Sequence, residues 1–94
     1  MDDMQQRGQE VFLSSPCIMC HTIRGTPAGG KVAPDLTHLA SRRTLAAGTL
    51  PNTPDSLAGW IIDPQNLKPG NKMPPHHFDP NELQSLLAYL VNLK

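Results

Sequence analysis

The strongest periodic signal lies near the end of the chain. Leu83, Leu86, Leu87, Leu90 and Val91 recur at i, i+3, i+4, i+7 and i+8, which is one face of a helix. Asp79 can cap that helix, Pro80 suits its first position, and Glu82 completes a D-x-x-E capping box. A second helix is predicted from Asp3 to Ser14, with Asp2 or Asp3 as its cap and acids that suit the dipole. Met4, Gly8, Val11 and Phe12 share a face there. Glycine inside a helix costs roughly 1 kcal/mol against alanine. A second helix crossing closely at Gly8 would offset this, and Tyr89 can offer its ring to the gap.

Two shorter helices are predicted between these. One runs from about Thr37 to Ala47, with Asp35 or Thr37 near its cap and Gly48 at its end. The other runs from Pro54 to Ile62, capped by Thr53 and ended by Asp63-Pro64. Leu57, Trp60 and Ile61 mark its inner face. Arg24 to Val32 reads as a glycine-rich loop and Pro64 to Pro75 as a proline-rich one. No repeat, low-complexity tract or convincing strand is visible. The pattern describes an all-α fold of four to five short helices in a single domain, 1–94.

Composition narrows this picture. Hydrophobic residues make up 38% of the 94 and aromatics only 4%. That is thin for a packed core in a domain that already exposes much of its surface. Ten prolines and seven glycines are many, but fewer than disorder requires. Eight basic residues balance eight acidic ones. A nucleic-acid binder needs a basic excess, which is absent. No apolar run is long enough to span a membrane, and no signal-peptide pattern is present. The chain is then either cytosolic or a mature or excised piece of something exported, and Met1 directly before Asp2 and Asp3 reads as an expression start on such a piece.

Candidate chemistry centres on Cys17-Ile18-Met19-Cys20-His21, which holds both cysteines of the chain. Three chemistries compete for this spacing. Structural zinc needs four ligands; His38, His76 and His77 are available, but His76-His77 lacks the usual histidine spacing. A thioredoxin-like redox pair needs a preceding strand and a βαβ setting, and neither is visible. The third is covalent c-type haem. Two thiols three residues apart on a turn can reach the two vinyl groups on one porphyrin edge, and the adjacent imidazole can then face the iron. Such a group would also supply the missing core: burying roughly 400 Å² of it contributes on the order of 10 kcal/mol.

A second axial ligand is then expected among Met4, Met19, Met73, His38, His76 and His77. Met19 is tied between the cysteines, and Met4 lies upstream on the first helix. Met73 sits in Lys72-Met73-Pro74-Pro75, where two prolines hold the backbone extended just before the last helix. It is the leading candidate, with His76 and His77 as substitutes.

Gly8-x-x-x-Phe12, Cys17-x-x-Cys20-His21, Ala33-Pro34-Asp35-Leu36, Trp60, Met73-Pro74 and the closing Leu-Leu-Ala-Tyr-Leu together resemble class I cytochrome c. Pro34-Asp35-Leu36-Thr37, Leu45-Ala46-Ala47-Gly48, Asn52-Thr53-Pro54, Asp63-Pro64-Gln65 and Lys68-Pro69-Gly70-Asn71-Lys72-Met73-Pro74 narrow the likeness. They look like the cytochrome c domain at the C-terminus of subunit II in caa3-type cytochrome c oxidases. The resemblance implies short helices wrapped around one haem c, covalent through Cys17 and Cys20, with His21 and Met73 as the metal ligands. It implies that the Pro34 carbonyl accepts the other ring proton of His21. It implies that Trp60 donates to a propionate, supported by Arg42 or Arg43 and by Asn52. The plain alternatives are that Trp60 is core, that Arg42 and Arg43 line a solvated helix face, and that Pro34 ends a turn. Gly8, Phe12 and Tyr89 read as helix-crossing residues.

The likeness has departures. Free carriers of this family often ring the haem edge with lysines, whereas this chain has Lys31, Lys68, Lys72 and Lys94. Ile18, Met19, Pro74 and Pro75 are expected at that edge instead, so steering is weak and docking mostly apolar. That suits a tethered domain working at high effective concentration. The expected role is one-electron transfer from an upstream donor, a cytochrome or quinol-oxidising complex, to the copper-binding domain of a terminal oxidase. The expected place is the extracytoplasmic, periplasmic face of a bacterial inner membrane. The isolated domain is expected to be a monomer and no enzyme by itself. The other readings are a free periplasmic carrier and a haem-based sensor with a labile Met73.

Overall fold

The computed structural model describes residues 2–31, 33–45, 48, 50–70, 73 and 77–93. Among these, α1 (Asp3–Leu13) and α2 (Cys17–Cys20) come first, followed by a 3₁₀ turn (Leu39–Ser41). A short hairpin of β1 (Thr44–Leu45) and β2 (Leu50–Pro51) is next, then α3 (Pro54–Ile62), α4 (Pro64–Leu67) and α5 (Pro80–Leu90).

Three helices begin where local chemistry dictates. Asp2 Oδ1 accepts from the Gln5 N–H at 2.8 Å, and Gln5 Oε1 accepts from the Asp2 N–H at 3.1 Å, which closes a capping box on α1. Asp79 and Glu82 do the same on α5, at 2.8 and 3.2 Å. Thr53 Oγ1 accepts from the Ser56 N–H at 3.1 Å, and Pro54 opens α3.

α1 and α5 form the main helix pair. Gly8 makes their approach possible: a Cβ there would lie 1.8 Å from the Ser85 carbonyl oxygen and 2.8 Å from Tyr89 Cβ. The gap is thus filled chiefly by backbone, not by the Tyr89 ring. That ring packs on Phe12, with centroids 6.3 Å apart and planes inclined by 52°. The buried face of α5 is accordingly Ser85, Leu86, Tyr89 and Leu90. Leu83 and Leu87 of the predicted stripe are only half-buried. Met4 departs from the predicted face of α1 and is 50% exposed. Leu39, Leu45, Leu57 and Ile61 complete the core beneath this pair, with Ile23, Ala28 and Cys17 beside the attachment turn.

The region from Thr37 corrects two expectations. The predicted helix from Thr37 to Ala47 is not formed over its described residues, and the absence of strands does not hold. Leu45 pairs with Leu50 and Thr44 with Pro51. Gly48, at φ 88°, serves a turn between strands, not a helix end. Tertiary bonds outcompete the helix: the Ala40 N–H goes to the Leu93 carbonyl, and the Asn52 side-chain amide donates to the carbonyls of Leu39 and Arg42. Ala46 and Ala47 lie outside the described residues. The proline-rich loop also contains α4. Asp63 closes α3 through its N–H to Gly59, and its carboxylate caps α4 at Asn66.

Candidate functional site

The chain leaves α1 through Ser14 and turns at once into α2, so both cysteines stand at the ends of one helical turn. The His21 N–H caps that turn by donating to the Cys17 carbonyl at 2.9 Å. Cys17 is buried and Cys20 half-buried. Burial pushes the Cys17 thiol above its ordinary pKa; a backbone hydrogen bond opposes the shift and the neighbouring Cys20 adds to it. A thiolate is disfavoured here, whereas an uncharged thioether suits the setting. Among the described residues no three His, Cys, Asp or Glu side chains gather as metal ligands, which leaves the zinc reading without support there.

His21 Nδ1 donates to the Pro34 carbonyl at 2.8 Å. That bond fixes the tautomer and leaves the Nε2 lone pair as the ring's donor. A belt of chain from Thr22 to Thr37 holds it in place. The Gly30 N–H donates to the His21 carbonyl at 3.1 Å, the Ala33 N–H to the Cys20 carbonyl at 2.9 Å, and Thr22 Oγ1 to the Gly30 carbonyl at 2.7 Å. Gly30 lies flat on the attachment turn: a Cβ there would meet Met19 C at 2.5 Å and Cys20 N at 2.6 Å. The glycine-rich composition of this loop signalled a turn but not that contact.

Beyond Pro34 the belt is closed by polar groups. Asp35 Oδ1 accepts from the Thr37 N–H at 2.8 Å and from the Thr37 hydroxyl at 2.5 Å. Thr37 Oγ1 in turn accepts from the Arg24 N–H at 2.8 Å. Arg24 Nε stands 3.9 Å from Asp35 Oδ2, and Arg42 Nη2 donates to the Asp35 carbonyl. The Thr37 hydroxyl and then its N–H hold Asp35 below the usual carboxylate pKa; desolvation opposes them, and Arg24 and Arg42 add lesser pulls downward. Nothing in the sequence spacing announced this cluster.

The other expected site residues are scattered more widely. Met73 is half-buried and packs against the core. Its carbonyl accepts from Gln65 Nε2 at 3.2 Å, while Gln65 Oε1 accepts from the Gly70 N–H at 3.1 Å. Gln65 thereby links Gly70 to Met73. Trp60 is half-buried on α3 and Arg43 is exposed. Both Nδ2 hydrogens of Asn52 go to backbone carbonyls, and Arg42 lies beyond the 3₁₀ turn, not on a helix. His38 and His77 are exposed. Lys72, Pro74, Pro75 and His76 lie outside the described residues. Of the predicted apolar edge, Ile18 is half-buried and Met19 is 74% exposed.

Paired cysteines on one turn, a tautomer-fixed imidazole beside them and a thioether against the core define a helical domain of the c-type haem class. The residues fit that group: Cys17 is buried where an uncharged thioether suits, and the hydrogen bond from Nδ1 to the Pro34 carbonyl leaves Nε2 as the ring atom to meet a metal. The family model for cytochrome c matches residues 5–94, and the chain belongs to that family. A cytochrome c domain implies covalent haem c and haem-based electron transfer. The chain is 37% identical to cytochrome c oxidase subunit 2 of Alkalihalophilus pseudofirmus, over 99% of this chain and 27% of that protein. It thus spans about a quarter of the length of that relative. It is 35% identical to cytochrome c2 of Rhodopila globiformis, over 93% of this chain and 91% of that protein. The c-type cytochrome SorU from Sinorhizobium meliloti shares the fold, with a TM-score of 0.68 at 21% identity, covering 99% and 93% of the two chains. Among the described residues no helix is long and apolar enough to cross a membrane.

Proposed function

We propose that this chain is the electron-transfer domain of a cytochrome c oxidase subunit 2, with one haem c joined to Cys17 and Cys20 and held axially by His21 and Met73. The observation that carries the ligation is the His21 Nδ1 bond to the Pro34 carbonyl, which leaves Nε2 as the donor atom. A haem bound in this way supplies a centre that changes charge by one electron, and Met/His ligation raises its potential. The protein's part is to hold and exclude. α2 and the Gly30 backbone keep the cysteine turn rigid. Gln65 holds the Met73 segment, and Phe12, Leu57, Leu86 and Leu90 are among the residues that keep water from the core. Trp60 and Arg43 are the proposed propionate partners, with Arg42 in support. Asn52 acts there by tying down the Arg42 segment.

The oxidase reading draws on the similarity to subunit 2 of such oxidases. It places the domain outside the cytoplasm, tethered to the membrane complex, taking electrons from an upstream donor and giving them to the oxidase copper-binding domain. Docking is mostly apolar, through Met19 and Ile18. The free-carrier reading is favoured by the match along nearly all of a cytochrome c2. Flash reduction of the domain beside a soluble copper-binding domain separates them: salt-insensitive transfer supports the oxidase role, and no transfer removes it. Magnetic circular dichroism of Met73→Ala tests the ligation, and an unchanged sulfur-type spectrum removes Met73 from the site. Rapid carbon monoxide binding to the reduced wild type would favour the sensor.

A further inference from the structure

We propose that Asp35 is a positioning residue for His21: with Thr37, Arg24 and Arg42 it fixes the Pro34 carbonyl and so sets how strongly the imidazole donates to a metal. This inference rests on the reading of His21 as an axial ligand.

Proline has no N–H, so Pro34 cannot be tied by a hydrogen bond of its own nitrogen. Its carbonyl belongs to the peptide plane shared with Asp35, and the orientation of that plane must come from neighbours. On the upstream side the Ala33 N–H is held by the Cys20 carbonyl. On the downstream side the Asp35 carboxylate folds back on Thr37 through both its N–H and its hydroxyl. That hydroxyl is pinned by the Arg24 N–H, and the Leu36 N–H donates to the Thr22 carbonyl at 2.7 Å. Both anchors lie within three residues of His21. Arg42 then holds the Asp35 carbonyl from across the loop. The plane carrying the Pro34 oxygen is therefore fixed to the very segment that carries the imidazole.

An exposed Asp–Thr turn in a loop ordinarily serves stability alone. This one closes a ring of bonds that begins and ends at His21. A firm Nδ1–H···O bond gives the ring imidazolate character and makes Nε2 a stronger donor, which favours the oxidised metal. Loosening the ring should weaken that bond and shift the balance toward the reduced state.

The test uses the haem-loaded protein and three variants. Thr37→Val removes the hydroxyl without changing charge. Asp35→Asn removes the charge and keeps Oδ1. Thr37→Ser restores the hydroxyl. Thr37→Val should move the equilibrium with a reference mediator about three- to tenfold toward reduction, tenfold being about 59 mV for one electron. In the reduced protein its His21 Nδ1 proton should exchange with solvent about tenfold faster, by the same weakening. Thr37→Ser should return both readings to wild type. Asp35→Asn should move the potential while disturbing proton exchange less. If Thr37→Val loses thermal stability with potential and Nδ1–H exchange unmoved, the cluster is a loop clamp only and the inference is overturned. A wild-type spectrum without a low-spin, histidine-ligated c-type haem would instead overturn the ligation reading, and this inference with it.

Discussion

Two helical glycines should respond to alanine with opposite signs. At Gly59 in α3 a new Cβ meets Leu67 Cδ1 at 3.6 Å, an ordinary contact. Gly59→Ala should therefore gain helix propensity and stabilise the domain by about 0.5–1 kcal/mol. At Gly8 the same atom lands 1.8 Å from the Ser85 oxygen and 2.6 Å from its carbonyl carbon. Backbone cannot rotate away, so α5 must retreat by roughly 1.6 Å, and a gap of even ~0.5–1 Å forfeits a quarter to a half of the dispersion between facing atoms. Overpacking of this kind costs about 1–3 kcal/mol or more. Loss of the Phe12–Tyr89 ring contact adds about 0.5–1.5 kcal/mol. The propensity gain of about 1 kcal/mol opposes these. The net expectation is a destabilisation of about 0.5–3.5 kcal/mol, or a melting temperature lower by on the order of 2–28 °C. Thermal unfolding of both haem-loaded variants, followed by far-ultraviolet circular dichroism, measures it. A Gly8→Ala protein as stable as wild type would refute the close crossing.

Gly30→Ala should lower haem attachment as well as stability, by about 2 kcal/mol or more, because the new carbon strikes the backbone of Met19 and Cys20; intact mass and haem per chain report both. Gln65→Ala releases the Met73 carbonyl and the Gly70 N–H. Two hydrogen bonds of about 1 kcal/mol each imply a roughly 5- to 30-fold larger population of sulfur-detached protein. This should appear as loss of the sulfur charge-transfer band below the global melting temperature. Asp35 is held below its ordinary pKa in the fold, so its contribution is present in full above its unfolded value, near ~3.9. It should fade as pH falls through the lower folded value. Asp35→Asn should flatten that part of the acid stability curve. Cys17→Ala should leave haem on one thioether and shift the pyridine haemochrome band; a colourless wild type would end the haem reading.

The legible parts of the fold were those whose causes are local. The Asp2, Thr53 and Asp79 caps and the prolines at 54 and 80 fixed three helix starts within a few residues. The segment after Thr37 was misread because its hydrogen bonds go to distant partners: Leu93 for the Ala40 N–H, and the Asn52 amide for Leu39 and Arg42. A periodicity count cannot see either. α4 was hidden because Asp63-Pro64 reads equally well as a stop and as a new start. At the site, the grouping of Cys17, Cys20 and His21 on one turn was legible from their spacing, and the His21–Pro34 bond through family likeness. Gly30, Gln65 and the Asp35–Thr37 pair were not, since each acts through a backbone contact that only the folded chain brings together.

The pairing of α1 with α5 has a consequence for the order of folding. The groove at Gly8 is filled by Ser85 and Tyr89 of α5, far along the chain from α1 and the cysteine turn. Closing so long a loop carries an entropic cost that short-range contacts do not. Until α5 docks, Phe12 lacks the Tyr89 ring on which it packs. The cysteine turn, closed by local bonds such as His21 N–H to the Cys17 carbonyl, therefore forms ahead of the helix pair.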